Sequence, residues 1–194
     1  MLSLDPLTPG TLEPCICSVM NIVLIGYRCA GKSTVGKELA SRLRRNFIDT
    51  DDLIEQSQQA SIRNIVSSRG WDYFRKVEKN VIKEISAEDH LVVAAGGGVV
   101  LDPENVVALK KNGIMVWLKA DRQALHSRMT QDPRTVVQRP SLTEKGVLEE
   151  LDEVMACRVP FYEAAMEVQL DASAMDENTV VVSVLSILQE RKVI

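Results

Sequence analysis

The chain has 194 residues and is 45% hydrophobic, which suits one compact α/β domain with a substantial core. Its net charge of −4 excludes a general nucleic-acid surface, which needs a clustered basic excess. No run of about 18 apolar residues occurs, which excludes a membrane-spanning helix, and Cys15, Cys17, Cys29 and Cys157 lack zinc-ligand spacing and read as reduced thiols of a cytoplasmic protein.

Residues 1–19 contain Pro6, Pro9, Gly10 and Pro14 but no basic residue, so they read as a flexible extension and not as a secretory signal. Asn21–Ile25 is a short branched apolar run before Gly26, the pattern of a buried strand. Ser33–Arg44 places Val35, Leu39 and Leu43 on one helical face. Phe47–Asp49 is a second strand. Leu53–Gln59, Ile62–Arg69 and Trp71–Ser86 read as helices, and Leu91–Ala95 as a strand closed by Gly96, Gly97 and Gly98. Pro103–Asn112 is helical, Ile114–Lys119 a strand, and Asp121–Met129 a helix. Residues 132–143, with Pro133 and Pro140, read as a mobile loop. Two helices, Thr143–Val159 and Pro160–Met166, follow, then a strand at Val168–Leu170 and a closing helix at Thr179–Lys192. Five strands alternating with helices predict a parallel five-stranded sheet with helices on both faces. Ligands of such sheets bind at the carboxyl ends of the strands.

One of those ends carries the most specific signal. Gly26-Tyr27-Arg28-Cys29-Ala30-Gly31-Lys32-Ser33 matches G-x-x-x-x-G-K-[ST] between a predicted strand and a predicted helix. The glycines let the backbone wrap a phosphate, and the N–H groups of Cys29 to Thr34 at the helix start point at the anion. Lys32 reaches the β- and γ-phosphates of ATP, and the Ser33 hydroxyl suits Mg²⁺. Arg28 either leans over the phosphates or faces water. Such a loop names a nucleotide, not an acceptor.

The acceptor is sought in the remaining marked residues. Asp49-Thr50-Asp51-Asp52 ends the second strand. Here Asp49 can serve the Mg²⁺ shell and Asp51 can meet a hydroxyl, or Asp51 or Asp52 can simply cap the next helix. Arg75 and Glu78 share a helical face, either as an intrahelical ion pair or as a substrate-facing Arg oriented by Glu. Three successive glycines exceed what a tight turn needs and favour close backbone approach to a ligand. Arg139 and Arg158 are, read singly, an ordinary loop arginine and a surface cation.

Together and in order, Gly26–Thr34, Asp49-x-Asp51, Phe74-Arg75-x-x-Glu78, Gly96–Gly98, Arg139-Pro140 and Arg158 followed by Tyr162 resemble the shikimate kinase family over residues 20–170. The resemblance implies a P-loop fold of the nucleoside-monophosphate-kinase type, one domain over residues 20–194, a lid at about 132–143, and a monomer without nucleic-acid or membrane partners. It implies Mg²⁺- and ATP-dependent phosphorylation of the shikimate 3-hydroxyl on the route to chorismate and the aromatic amino acids. Arg75 and Arg158 would bind the shikimate carboxylate, and Glu78 would orient Arg75. Asp51 and the Gly97 N–H would meet the ring, with Lys32 and Asp51 as catalytic groups. Arg139 would come from the lid to the nucleotide and the transferring phosphoryl, and Ser33 and Asp49 would serve the metal. The chain departs from the family's Gly-Glu by Gly70-Trp71, has Ser141 where Leu commonly follows the lid proline, and marks its adenine contacts poorly, Arg134 being one candidate.

Overall fold

The computed structural model describes residues 20–132 and 150–194. The expected extension with Cys15 and Cys17, Arg134, the lid from residue 133 onward with Arg139 and Pro140, and the start of the helix expected at Thr143 lie outside the described residues.

The strands are β1 (Asn21–Ile25), β2 (Asn46–Asp49), β3 (Leu91–Ala94), β4 (Gly113–Lys119) and β5 (Val168–Asp171), and they form one parallel sheet in the order β2-β3-β1-β4-β5. The helices are α1 (Lys32–Leu43), α2 (Thr50–Gln58), α3 (Ile62–Ile85), α4 (Pro103–Lys111), α5 (Arg122–Gln131), α6 (Leu151–Ala165) and α7 (Glu177–Glu190). A 3₁₀ turn spans Val99–Leu101. β1 lies between β3 and β4, so the chain order reverses beside it and opens a crevice at its carboxyl end.

The sheet separates two layers of core. In β1, Ile22 and Leu24 join one cluster, with Val35 and Leu39 of α1 and Val180, Val184 and Leu188 of α7. Val23 and Ile25 point the other way, toward Ile82 and Ile85 of α3, Leu109 of α4 and Tyr162 of α6. β4 alternates in the same manner, with Val116 and Leu118 on the first side and Met115 and Trp117 on the second. Both strands are covered on both faces and therefore read as continuous apolar runs. Each fully buried Leu, Ile or Val contributes about 1.5–3 kcal/mol relative to exposure. A smaller cluster of Ile54, Ile62, Ile65, Phe74, Val77 and Val81 joins α2 to both arms of α3.

One sequence expectation changes and one break is confirmed as a kink. Pro160 does not divide two helices, because α6 runs through it to Ala165. Val154 and Arg158 before the proline and Tyr162 and Ala165 after it are all buried, and packing on both sides outweighs the missing N–H. The break expected between the helices ending at Arg69 and starting at Trp71 is a kink at Gly70, where φ is 79° and ψ 169°, so α3 consists of two helical arms. Glycine is the residue that takes this backbone without strain. Among the described residues no helix is long and apolar enough to cross a membrane.

Candidate active site

Among the described residues five helices begin with side-chain caps, from Asp49, Ser61, Asp102, Asp121 and Asp176. α1, like α6, has no side-chain cap, and it begins at Gly31 with φ 93°, the kind of helix N-terminus that suits an anion. The loop before it also needs positive φ at Gly26 (144°) and Cys29 (60°). At Gly26 a Cβ would lie 2.6 Å from the Leu118 carbonyl oxygen, so both φ and space demand glycine there. Lys32 Nζ donates to the carbonyls of Gly26 (2.8 Å) and Tyr27 (2.9 Å), holding the arch of the loop closed on itself. Ser33 Oγ donates to Asp49 Oδ2 at 2.6 Å. This hydroxyl–carboxylate pair offers the hard oxygen donors that suit Mg²⁺, beside the place where phosphate oxygens would complete the shell.

A cleft of about 620 Å³ runs from this loop along the sheet edge. Cys29 to Val35, Asp49, Asp51 and Gly97 line its inner part. Arg128, Ala172, Met175, Asp176 and Val180 line its outer end. Arg128 Nη2 donates to the Ala172 carbonyl at 2.7 Å, which fixes the guanidinium against the loop after β5. These outer residues come from α5 and from beyond β5, and none carries a motif, so the sequence held no usable signal for them.

A second, smaller pocket of about 70 Å³ is lined by Asp51, Ile62, Trp71, Phe74, Arg75, Glu78, Gly97, Gly98 and Arg158, with Arg28. It brings together every acceptor-side residue singled out in the sequence. Arg75 Nη1 donates to Glu78 Oε2 at 2.5 Å, and the guanidinium carbon lies 5.6 Å from the Trp71 ring centroid and 5.2 Å from that of Phe74. Both readings of Arg75 and Glu78 therefore hold together: they are an i,i+3 ion pair, and both line a pocket. Glu78 is 1% exposed. Burial pushes its carboxyl above the usual range, Arg75 pulls it back, and the charge of Asp51 adds to the rise. Trp71 supplies an aromatic wall to this pocket.

The three glycines have separate reasons. A Cβ on Gly96 would lie 2.7 Å from Asp51 Oδ1, and one on Gly98 would meet the Arg75 guanidinium, 2.7 Å from Nη1. At Gly97 the contact is through the backbone: its carbonyl accepts from Arg158 Nη1 (3.2 Å) and from Tyr162 Oη (2.6 Å). The Gly96 N–H donates to Thr50 Oγ1 at 2.8 Å, while the N–H groups of Gly97 and Gly98 meet no acceptor among the described residues. An unpaired N–H is rare inside a protein, and at a pocket wall it marks a donor for a ligand.

Three residues belong to both cavities: Arg28, Asp51 and Gly97. Any group passing from one cavity to the other crosses there. Of the two alternatives for Asp51 and Asp52, capping is not the one observed: the cap is Asp49, whose Oδ1 accepts from the Asp51 N–H at 3.0 Å. This leaves the Asp51 carboxylate at the junction. Of the two alternatives for Arg28, the structure rules out facing water, and the side chain lines the cleft beside the phosphate loop as well as the acceptor pocket. It is 9% exposed and pairs at 3.4 Å with Glu150, which is 0% exposed.

The shikimate kinase family model matches residues 28–189. "Shikimate kinase 2" of Yersinia enterocolitica is 41% identical over 172 residues, covering 89% of this chain and 97% of that protein. "Shikimate kinase" of Syntrophus aciditrophicus is 38% identical over 180 residues, covering 89% and 92%. The solved structure of shikimate kinase from Acinetobacter baumannii in complex with shikimate superposes with a TM-score of 0.84 at 29% identity, over 92% of this chain and 97% of that one. A P-loop of this geometry, an arginine-flanked pocket joined to it at an aspartate, and these similarities over nearly the whole chain agree: the chain belongs to the shikimate kinase family.

Proposed function

We propose that this enzyme transfers the γ-phosphoryl group of ATP to the 3-hydroxyl of shikimate, giving ADP and shikimate 3-phosphate on the route to chorismate. The observation that carries this reading is the shared wall. A nucleotide cleft and a pocket with two arginines meet at Asp51 and Gly97.

The residue roles follow from their chemistry. The α1 N-terminus and Lys32 hold the β- and γ-phosphates, and the outer cleft around Arg128, Met175 and Val180 takes the adenine. Ser33 and Asp49 would hold Mg²⁺, which would supply charge neutralisation on the same phosphates. Arg75 and Arg158 offer planar donors to the acceptor carboxylate, with Glu78 fixing Arg75. Asp51 accepts the hydrogen bond of the attacking hydroxyl and aims it across the junction. Arg139 adds a cation to the transferring group, a role that rests on the resemblance alone.

We further place the enzyme in the cytoplasm as a monomer without nucleic-acid or membrane partners, with residues 20–194 as its domain, 132–143 as its lid and 1–19 as an extension. The net charge of −4 supports only the absence of a nucleic-acid partner. The test is ADP release from saturating Mg-ATP with shikimate, gluconate or a nucleoside monophosphate as acceptor. Release that depends on shikimate is the expected result. Equal release with gluconate, or none beyond the acceptor-free background with shikimate, overturns the proposal.

A further inference from the structure

The Tyr162 side chain lies outside both cavities, yet it touches the peptide that the cavities share. Its ring is 1% exposed and stacks on Trp117 of β4, with centroids 5.6 Å apart and planes at 21°. Its hydroxyl donates to the Gly97 carbonyl at 2.6 Å, and burial lifts its pKa to about 12, so the donor proton is present at every working pH.

A trans peptide unit points its C=O and its N–H in opposite directions. Holding the Gly97 carbonyl against α6 therefore directs the Gly98 N–H away from α6. The neighbouring unit is fixed in the same way. The Gly96 carbonyl accepts from the Val99 N–H at 3.1 Å, which turns the Gly97 N–H outward. Two successive N–H groups with no acceptor among the described residues are thus presented at the wall of the acceptor pocket, the kind of concavity that receives an anionic or hydroxyl oxygen. Arg158 also holds the Gly97 carbonyl, at a longer 3.2 Å, but its guanidinium is the group expected to turn to a ligand carboxylate. Tyr162 has no such second duty.

We infer that Tyr162 is a positioning residue for the acceptor: through the Gly97 carbonyl it keeps the Gly98 N–H aimed at the acceptor, beside the Gly97 N–H that the Gly96–Val99 bond holds, while Arg158 is engaged by the ligand. A tyrosine that only filled the core would need a hydroxyl partner too. What separates the two roles is which substrate feels its loss. Gly97 also borders the nucleotide cleft, but neither oriented N–H belongs to the phosphate loop.

The inference rests on the acceptor reading above, and wild-type protein must first show shikimate-dependent ADP release. Failure there sinks that reading and is seen before any variant is made. Tyr162→Phe then keeps the ring and removes one hydrogen bond. The expected result is an acceptor KM raised about five- to tenfold, with the KM for Mg-ATP within twofold of wild type. An acceptor KM within twofold, or equal rises in both KM values, overturns the inference. If Tyr162→Phe gives no folded protein, Trp117→Phe keeps the hydroxyl but loosens its ring. The same selective rise in acceptor KM then supports the inference, and an unchanged value overturns it.

Discussion

Replacing Asp51 by Asn is expected to lower turnover by about 10²–10⁴-fold while Mg-ATP affinity stays within a few-fold of wild type. The change is isosteric, and the helix start does not depend on the side chain, because the Asp51 backbone N–H, not its carboxylate, joins the cap on Asp49. The carboxylate sits against Gly96, a place where even a methyl group would clash, and borders both cavities. A neutral amide in that position can still accept a hydrogen bond. It lacks the negative charge that orients the attacking hydroxyl and takes up its developing positive character. Steady-state ADP release, with nucleotide binding measured separately by calorimetry, checks the split. Turnover within tenfold of wild type would remove Asp51 from the chemistry and leave it a wall of the pocket.

The second large effect concerns the carboxylate anchor. Arg158→Ala should raise the acceptor KM by the equivalent of about 2–5 kcal/mol, roughly thirtyfold to several thousandfold, as is usual when one partner of a buried charge pair is removed. Arg158 is 8% exposed and emerges from α6 one turn before Tyr162, so its guanidinium reaches the pocket as a desolvated donor. A neutral acceptor tells charge recognition from lost packing. Wild type should discriminate strongly between shikimate and its carboxamide, whereas Arg158→Ala should treat them nearly alike. Undiminished discrimination in the variant would mean that another group reads the carboxylate. Arg75 would then be the next candidate, already held by Glu78 and lying beside the Trp71 and Phe74 rings.

The parallel sheet was legible because β1 and β4 are buried on both faces, and their short continuous apolar runs bounded by turn residues fit buried strands. The phosphate loop was legible because its backbone demands glycine at Gly26 and Gly31 and its chemistry demands Lys32 and Ser33. Proline misled at Pro160, since the burial that keeps α6 whole comes from residues distant in sequence. The acceptor side chains were visible only as a set. Arg75, Gly97 and Arg158 lie on α3, the turn after β3, and α6, and each alone has an ordinary explanation. The outer cleft at Arg128 and Met175, the Arg28–Glu150 pair and the Tyr162 hydroxyl on Gly97 depend on contacts between distant segments, which composition and periodicity do not encode.

At the centre of this account, the nucleotide cleft and the arginine-flanked pocket are the two halves of one site, joined at Asp51. A crystal structure of the enzyme with Mg-ADP and shikimate measures this directly. The expected structure has ADP phosphates on the Gly26–Thr34 loop, the shikimate carboxylate between Arg75 and Arg158, and the 3-hydroxyl on Asp51, facing the β-phosphate across the junction. Shikimate bound away from Gly97, or with its carboxylate toward the phosphate loop, would contradict it.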